Sequence, residues 1–218
     1  RSGVSSGNGP NPADPNIPPT TTSSSSSSFS GSGNFMSLSE YFALHFGESY
    51  SPLFHKAVNN FVRSLAGYSL ITYLLQVKDR HNANILIDSE GHIIHIDFGF
   101  ILGESPGFNI NFESAPFKFT QEYLDLIGGN VDSPLFRLFE DLFIRGFLAI
   151  QKHVDGIASI IQLYYDEKKG KEIVDLLKSR LLFAKTTLDI QKLIHESMDN
   201  FRTKSYDWYQ QKTNNIFM

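Results

Sequence analysis

Two short polar runs hold most of the groups able to do chemistry: Asp79-Arg80-His81-Asn82-Ala83-Asn84 and His95-Ile96-Asp97-Phe98-Gly99. Asn84 and Asp97 carry hard oxygen donors, which magnesium takes in ones and twos when phosphate oxygens complete its shell. They lie thirteen residues apart (97 − 84), the length of two short strands and a turn, and a hairpin returns its ends to one place. Asp79 and His81 precede the first strand, where either could orient or deprotonate an attacking hydroxyl. Metal-held phosphates and a group that handles a hydroxyl proton are most of what phosphoryl transfer from ATP asks of a protein.

The elements that must position these groups can be read around them. Ile85 to Ile87 and Ile93 to Ile96, joined by Asp88-Ser89-Glu90-Gly91, predict the hairpin. His92 and His95 are three apart on one strand and face opposite ways, so they do not chelate one ion; His95 reads as a core histidine that braces Asp97. Upstream, Ser51-Pro52 is an N-cap with a first-turn proline. Phe54, Val58, Phe61, Leu65 and Tyr68 then predict a long helix to Leu75. Beyond Gly99 the chain is rich in Gly, Pro, Ser and Asn as far as Thr120, which caps a short helix ending at Gly128-Gly129. Ser133-Pro134 opens another helix, with Leu135, Leu138, Phe139, Leu142, Phe143 and Gly146 on one face, and at least two more fill 155–213. The expected fold class is α+β, mostly helical, with one small hairpin carrying a polar loop on each side.

Composition bounds the rest. The chain has 218 residues with 41% hydrophobic and 13% aromatic content, enough for a single core. A net charge of −4 gives no basic footprint for nucleic acid and no strong pull toward an anionic membrane. The absence of cysteine excludes disulfides and thiolate metal sites and points to an intracellular setting. No apolar run approaches the ~18 residues of a membrane span, and no signal-peptide pattern opens the chain. Ser, Gly and Pro fill 21 of the first 34 positions, so 1–34 is expected to be a disordered linker or insertion and 35–218 the folded unit. Near the C-terminus Ile194, Met198, Phe201, Trp208 and Tyr209 fall close to one helical face, which either packs on the lobe or enters a membrane interface.

Asp79 stands five residues before Asn84 (84 − 79), the spacing between base and metal-binding Asn in protein-kinase catalytic loops, and Asp97-Phe98-Gly99 matches the D-F-G metal motif. The order here is D-R-H in place of H-R-D. That inverted form resembles the C-terminal catalytic lobe of the phosphoinositide 3-/4-kinase superfamily. Gln76-Val77-Lys78, the run from Gly91 to Phe100, and Phe112-Glu113 to Phe117-Lys118-Phe119-Thr120 resemble phosphatidylinositol 4-kinases, closest to the type III beta-like group. The resemblance covers residues 36–218. Two departures stand out. The Gly-rich phosphate loop and ATP-binding lysine are missing, so the N-lobe is expected to be absent and the fragment alone inactive. Ala83 occupies a position where Gly is expected, which is tolerable unless the backbone there has positive φ.

The resemblance implies ATP-dependent phosphorylation of phosphatidylinositol at the 4-hydroxyl, giving phosphatidylinositol 4-phosphate. Asp97 is implied as the principal Mg2+ (or Mn2+) ligand, with Asn84 as its partner. His81 is the favoured base or proton relay, Asp79 orients the hydroxyl or supports the loop, and Arg80 pairs with a carboxylate inside the loop. The stretch 97–120 corresponds to the activation loop that reads the head group. Lys118 is its single base between Gly99 and Thr120, against Glu104 and Glu113. It is either solvated or a head-group contact. That balance favours an unphosphorylated head group, since each extra phosphate would want Lys or Arg partners. The implied setting is cytoplasmic and peripheral on intracellular membranes, the Golgi among them, with small-GTPase or calcium-sensor adaptors and no nucleic acid. The competing readings are a phosphoinositide 3-kinase or related protein kinase and, in another class, a non-catalytic lipid- or partner-binding module.

Overall fold

The computed structural model describes residues 36–104 and 115–199, all within the compact unit Met36–Met218. The expectations for residues 1–34, for Phe112-Glu113 and for Phe201 to Met218 lie outside the described residues.

The spine is α2 (Pro52–Leu75), which starts as the sequence predicts: the Ser51 hydroxyl accepts from Phe54 N–H at 3.1 Å and Pro52 opens the first turn. Apolar residues at spacings of three and four bury one broad face, from Ala57 and Val58 through Phe61 and Leu65 to Tyr73. Before it, α1 (Leu38–Phe46) is closed by a capping box in which Ser37 and Glu40 exchange side-chain and main-chain bonds. After the hairpin come α3 (Gln121–Leu126), α4 (Pro134–Lys152), α5 (Val154–Tyr164), α6 (Glu167–Leu182) and α7 (Thr187–Asp199). Thr120, Ser133 and Asp166 cap α3, α4 and α6 through their side chains. The fold is therefore mostly helical with one small two-stranded sheet, as the sequence implies.

Helix α4 packs along α2, and α7 packs on α4. Their contact is close: a Cβ on Gly146 would lie 2.6 Å from Leu70 Cδ2, so only glycine fits without a shift. The buried stripe of α4 is Phe136, Phe139, Phe143 and Phe147, with Leu135, Leu138 and Leu142 partly buried beside it. This is one position round from the predicted face. With Phe42, Phe61, Phe117 and Phe119 these rings form the core in tilted and edge-on pairs, such as Phe42–Phe61 at 5.6 Å and Phe119–Phe139 at 5.0 Å. Each such ring contributes roughly 2 kcal/mol by burial alone. Of the C-terminal stripe, Ile194 is 0% exposed and Met198 packs partly buried against the core, so its described part is core. At the far end of α2, Tyr73 Oη donates to Arg180 O at 2.8 Å, and the Arg180 guanidinium lies 4.4 Å over the Tyr73 ring and donates back to Tyr73 O. That pair fastens α6 to the end of the spine.

The hairpin pairs β1 (Ile85–Ile87) with β2 (Ile93–His95) in antiparallel register, Leu86 opposite Ile94. Its turn is docked on α2. Asn60 Nδ2 donates to Glu90 O at 2.9 Å, Ile93 N–H donates to Ser64 Oγ at 3.0 Å, and Gly91 sits at φ +89°. A Cβ on Gly91 would come within 2.7 Å of Ala57 O.

Candidate functional site

Docking one end of the hairpin on α2 leaves its open end, where both polar runs lie, facing outward. Helix α2 stops at Gln76, in left-handed conformation at φ 49°. The loop that follows is tied to the chain beyond β2: Lys78 N–H donates to Phe100 O at 2.9 Å and Leu102 N–H to Leu75 O at 2.7 Å. Arg80, 3% exposed, is the centre of this junction. Its Nε donates to Lys78 O at 3.0 Å, Nη1 to Ile96 O at 2.6 Å and Nη2 to Asp97 O, while its guanidinium lies 5.5 Å from the Phe98 ring centroid. These three acceptors are main-chain carbonyls, Lys78 O just before the first polar run and Ile96 O and Asp97 O in the second, so Arg80 rivets one loop to the other.

Asn84 completes the junction. Ile96 N–H donates to Asn84 O at 3.0 Å, which places Asn84 beside the residue before Asp97 across the hairpin mouth. Asn84 Nδ2 donates to Asp79 O at 2.9 Å. The amide is thereby oriented with Oδ1 as its remaining acceptor. Asp97 is exposed, at φ 57°, with Oδ1 accepting from Gly99 N–H at 3.2 Å. Asp79 also has positive φ, 65°, and its Oδ2 lies 3.9 Å from His81 Nε2. The two candidate proton handlers thus form a pair. Ala83 sits in the 3-10 turn Asn82–Asn84 and is not among the positive-φ residues, so no glycine is needed there.

His95 is 6% exposed. It braces α2 rather than Asp97: its ring stacks on Tyr68 at 4.7 Å, and Nδ1 is 3.4 Å from Thr72 Oγ1. Burial, with the charges of Arg80 and Lys118 nearby, pushes its pKa down to about 4. The ring is neutral at physiological pH. Lys118 is not a solvated lysine. It is 6% exposed, and its Nζ donates to Asn82 Oδ1 at 2.8 Å, inside the first polar run.

One feature escaped the sequence reading. Leu86 and Ile96 are 48% and 38% exposed on the open face of the hairpin. Leu86 also borders a hollow of about 360 Å3 bounded by Met36, Leu38, Tyr41, Ile85 and Glu122. The apolar run in β1 carried the signal, since a strand apolar at every position must cover something on both faces.

An exposed carboxylate, an oriented amide oxygen, a His–Asp pair and an adjoining apolar shelf thus gather around the mouth of the hairpin. The family model for phosphatidylinositol 3- and 4-kinases matches residues 12–169, and the chain belongs to that family. It is 46% identical over 193 residues to a phosphatidylinositol 4-kinase of Dictyostelium discoideum, covering 84% of this chain and 16% of that protein. Phosphatidylinositol 4-kinase beta 1 of Arabidopsis thaliana is 45% identical over 84% of this chain and 17% of its own length. Human phosphatidylinositol 4-kinase beta is 42% identical over 83% and 23%. The chain thus spans about a sixth to a quarter of the length of the curated relatives it matches.

Proposed function

We propose that residues 35–218 are the catalytic lobe of a phosphatidylinositol 4-kinase, transferring the γ-phosphoryl group of ATP to the 4-hydroxyl of the inositol ring in phosphatidylinositol. The observation that carries this is the bond from Ile96 N–H to Asn84 O, reinforced by Arg80, which brings an exposed carboxylate and an oriented amide oxygen to one edge. The three similar proteins are all named as phosphatidylinositol 4-kinases, which favours the 4-hydroxyl over the 3-hydroxyl.

The donor set fits magnesium. Asp97 and Asn84 supply hard oxygens, and a phosphate-bound ion of this type needs no more than one or two protein ligands. No group of three or more His, Cys, Asp or Glu side chains with metal-binding geometry occurs among the described residues, and this site does not require one. A magnesium ion there would neutralise charge on the transferring phosphoryl group. Asp97 would be its principal ligand and Asn84 the second.

The remaining steps belong to the chain. Leu86 and Ile96 offer the apolar shelf on which the nucleotide base lies. Asp79 orients the lipid hydroxyl and His81 takes its proton as the new O–P bond forms and the bond to the ADP oxygen breaks. Arg80 holds both loops in register, and Lys118 serves the head group from behind, through Asn82. No helix among the described residues is long and apolar enough to cross a membrane. By family likeness the protein works peripherally on cytoplasmic faces of intracellular membranes, the Golgi among them, brought there by small-GTPase or calcium-sensor adaptors. Asp97→Ala in the full-length protein that contains this chain should abolish lipid phosphorylation with an unchanged melting temperature. Activity within tenfold of wild type would refute the metal assignment.

A further inference from the structure

We propose that Lys118 is a positioning residue that couples the lipid-reading segment to the catalytic loop through Asn82. The inference rests on the kinase reading above and goes beyond it, because it replaces a direct head-group contact with a mechanical one.

The flanking residues fix the geometry. Phe117 and Phe119 are 2% and 3% exposed and both point into the helical core: Phe117 lies 5.0 Å from Phe143, and Phe119 lies 5.0 Å from Phe139 and 6.1 Å from Phe136. In an extended segment the residue between two such anchors faces the other way. For Lys118 that way is the catalytic loop, where Nζ meets Asn82 Oδ1 at 2.8 Å.

Burying an ammonium group is costly, and an apolar chain of the same length would pack in its place at no such cost. A lysine, unlike such a chain, gives a directional bond to the 3-10 turn Asn82–Asn84. Asn82 follows His81 and stands two before Asn84. Holding its side chain fixes the turn's rotation, and with it the aim of the proton handler and the metal-binding amide. Lys118, between its two anchored neighbours, and the turn Asn82–Asn84 then move as one unit. Displacements of about 1 Å in such groups cost on the order of 10²-fold in rate.

The test compares Lys118→Met, Lys118→Arg, Asn82→Ala and the double variant Lys118→Met/Asn82→Ala in the full-length protein, with phosphatidylinositol vesicles and ATP. The coupling predicts that Lys118→Met and Asn82→Ala each lower kcat by about 10- to 100-fold with both KM values little changed. The double variant should be no worse than either single one, and Lys118→Arg should recover part of the rate. ATP hydrolysis by water should fall in parallel. The proposal is overturned if Lys118→Met raises the KM for phosphatidylinositol at unchanged kcat, or if Asn82→Ala is silent, which also decides the matter should Lys118→Met fail to fold. A wild type that phosphorylates no lipid would sink the functional reading. The Lys118–Asn82 bond would still be judged by the same cycle in urea unfolding, where strictly additive losses refute it.

Discussion

The two acidic residues of the site, Asp79 and Asp97, both hold left-handed backbone, at φ 65° and 57°. Such conformations cost of order 1 kcal/mol or more in a non-glycine residue and persist where the surroundings enforce them. Arg80 and Asn84 do the enforcing here, through Asp97 O and Asp79 O. The pairing of Asp79 with His81 sharpens their division of labour. His81→Ala should lower the lipid-kinase rate by roughly 10²–10⁴-fold with little change in apparent ATP affinity, and Asp79→Asn should cost less. The reverse ranking in steady-state assays would make Asp79 the base. His95 yields a prediction on stability. Its folded pKa, about 4, lies below the ordinary histidine value of 6.5, so between those values the unfolded chain binds more protons. Stability is then full above pH 6.5 and falls as pH drops toward 4, by up to about 3 kcal/mol. Urea titrations at pH 5 and 7.5 should show the difference, and His95→Gln should flatten it; a wild-type midpoint that does not move would contradict the assignment. At this scale the meeting of Asp79, Asn84 and the residue before Asp97 at one hairpin mouth was legible, because a thirteen-residue spacing with a turn in it is written in the sequence. Arg80's acceptors were not, since main-chain carbonyls leave no mark in a sequence. Lys118's orientation was half-written, in its place between two phenylalanines.

Two elements make the site: α2, and the hairpin docked on it. The docking depends on Gly91, whose φ of +89° and close approach to Ala57 O leave no room for a side chain. Gly91→Ala should destabilise the lobe by about 2 kcal/mol or more, read as a lower urea midpoint, and should impair catalysis as the turn lifts off α2. An unchanged midpoint would mean the turn is not fastened as described. The caps at Ser51, Thr120 and Ser133 were readable because a hydroxyl before a helix has one local use. The same logic, applied to Ser37-Leu38-Ser39-Glu40, would have revealed α1, whose capping box is complete. The face of α4 was read one position off. Leucine and phenylalanine crowd both sides of the stripe there, and the period alone does not choose between them. The four largest side chains took the centre.

Across the molecule, charge is used locally rather than broadcast. The net −4 offers an anionic membrane no attraction, and Glu104, at the start of the segment that follows the D-F-G turn, is engaged by Lys169 at 3.1 Å. With Lys118 turned inward onto Asn82, the described part of that segment presents no outward base for extra head-group phosphates. Unphosphorylated phosphatidylinositol is the substrate such a surface suits. The general plan, a helical lobe with one hairpin, was legible from periodicity and turn residues, and the family from two short runs. The choice of hydroxyl was not, because it depends on how a whole lipid lies over the loop. The most direct test supplies the full-length protein that contains this chain with vesicles of phosphatidylinositol or phosphatidylinositol 4,5-bisphosphate, ATP and magnesium, and resolves the products by positional isomer. The account predicts phosphatidylinositol 4-phosphate from the first and little turnover of the second. A 3-phosphate product, or equal turnover of the bisphosphate, would contradict it.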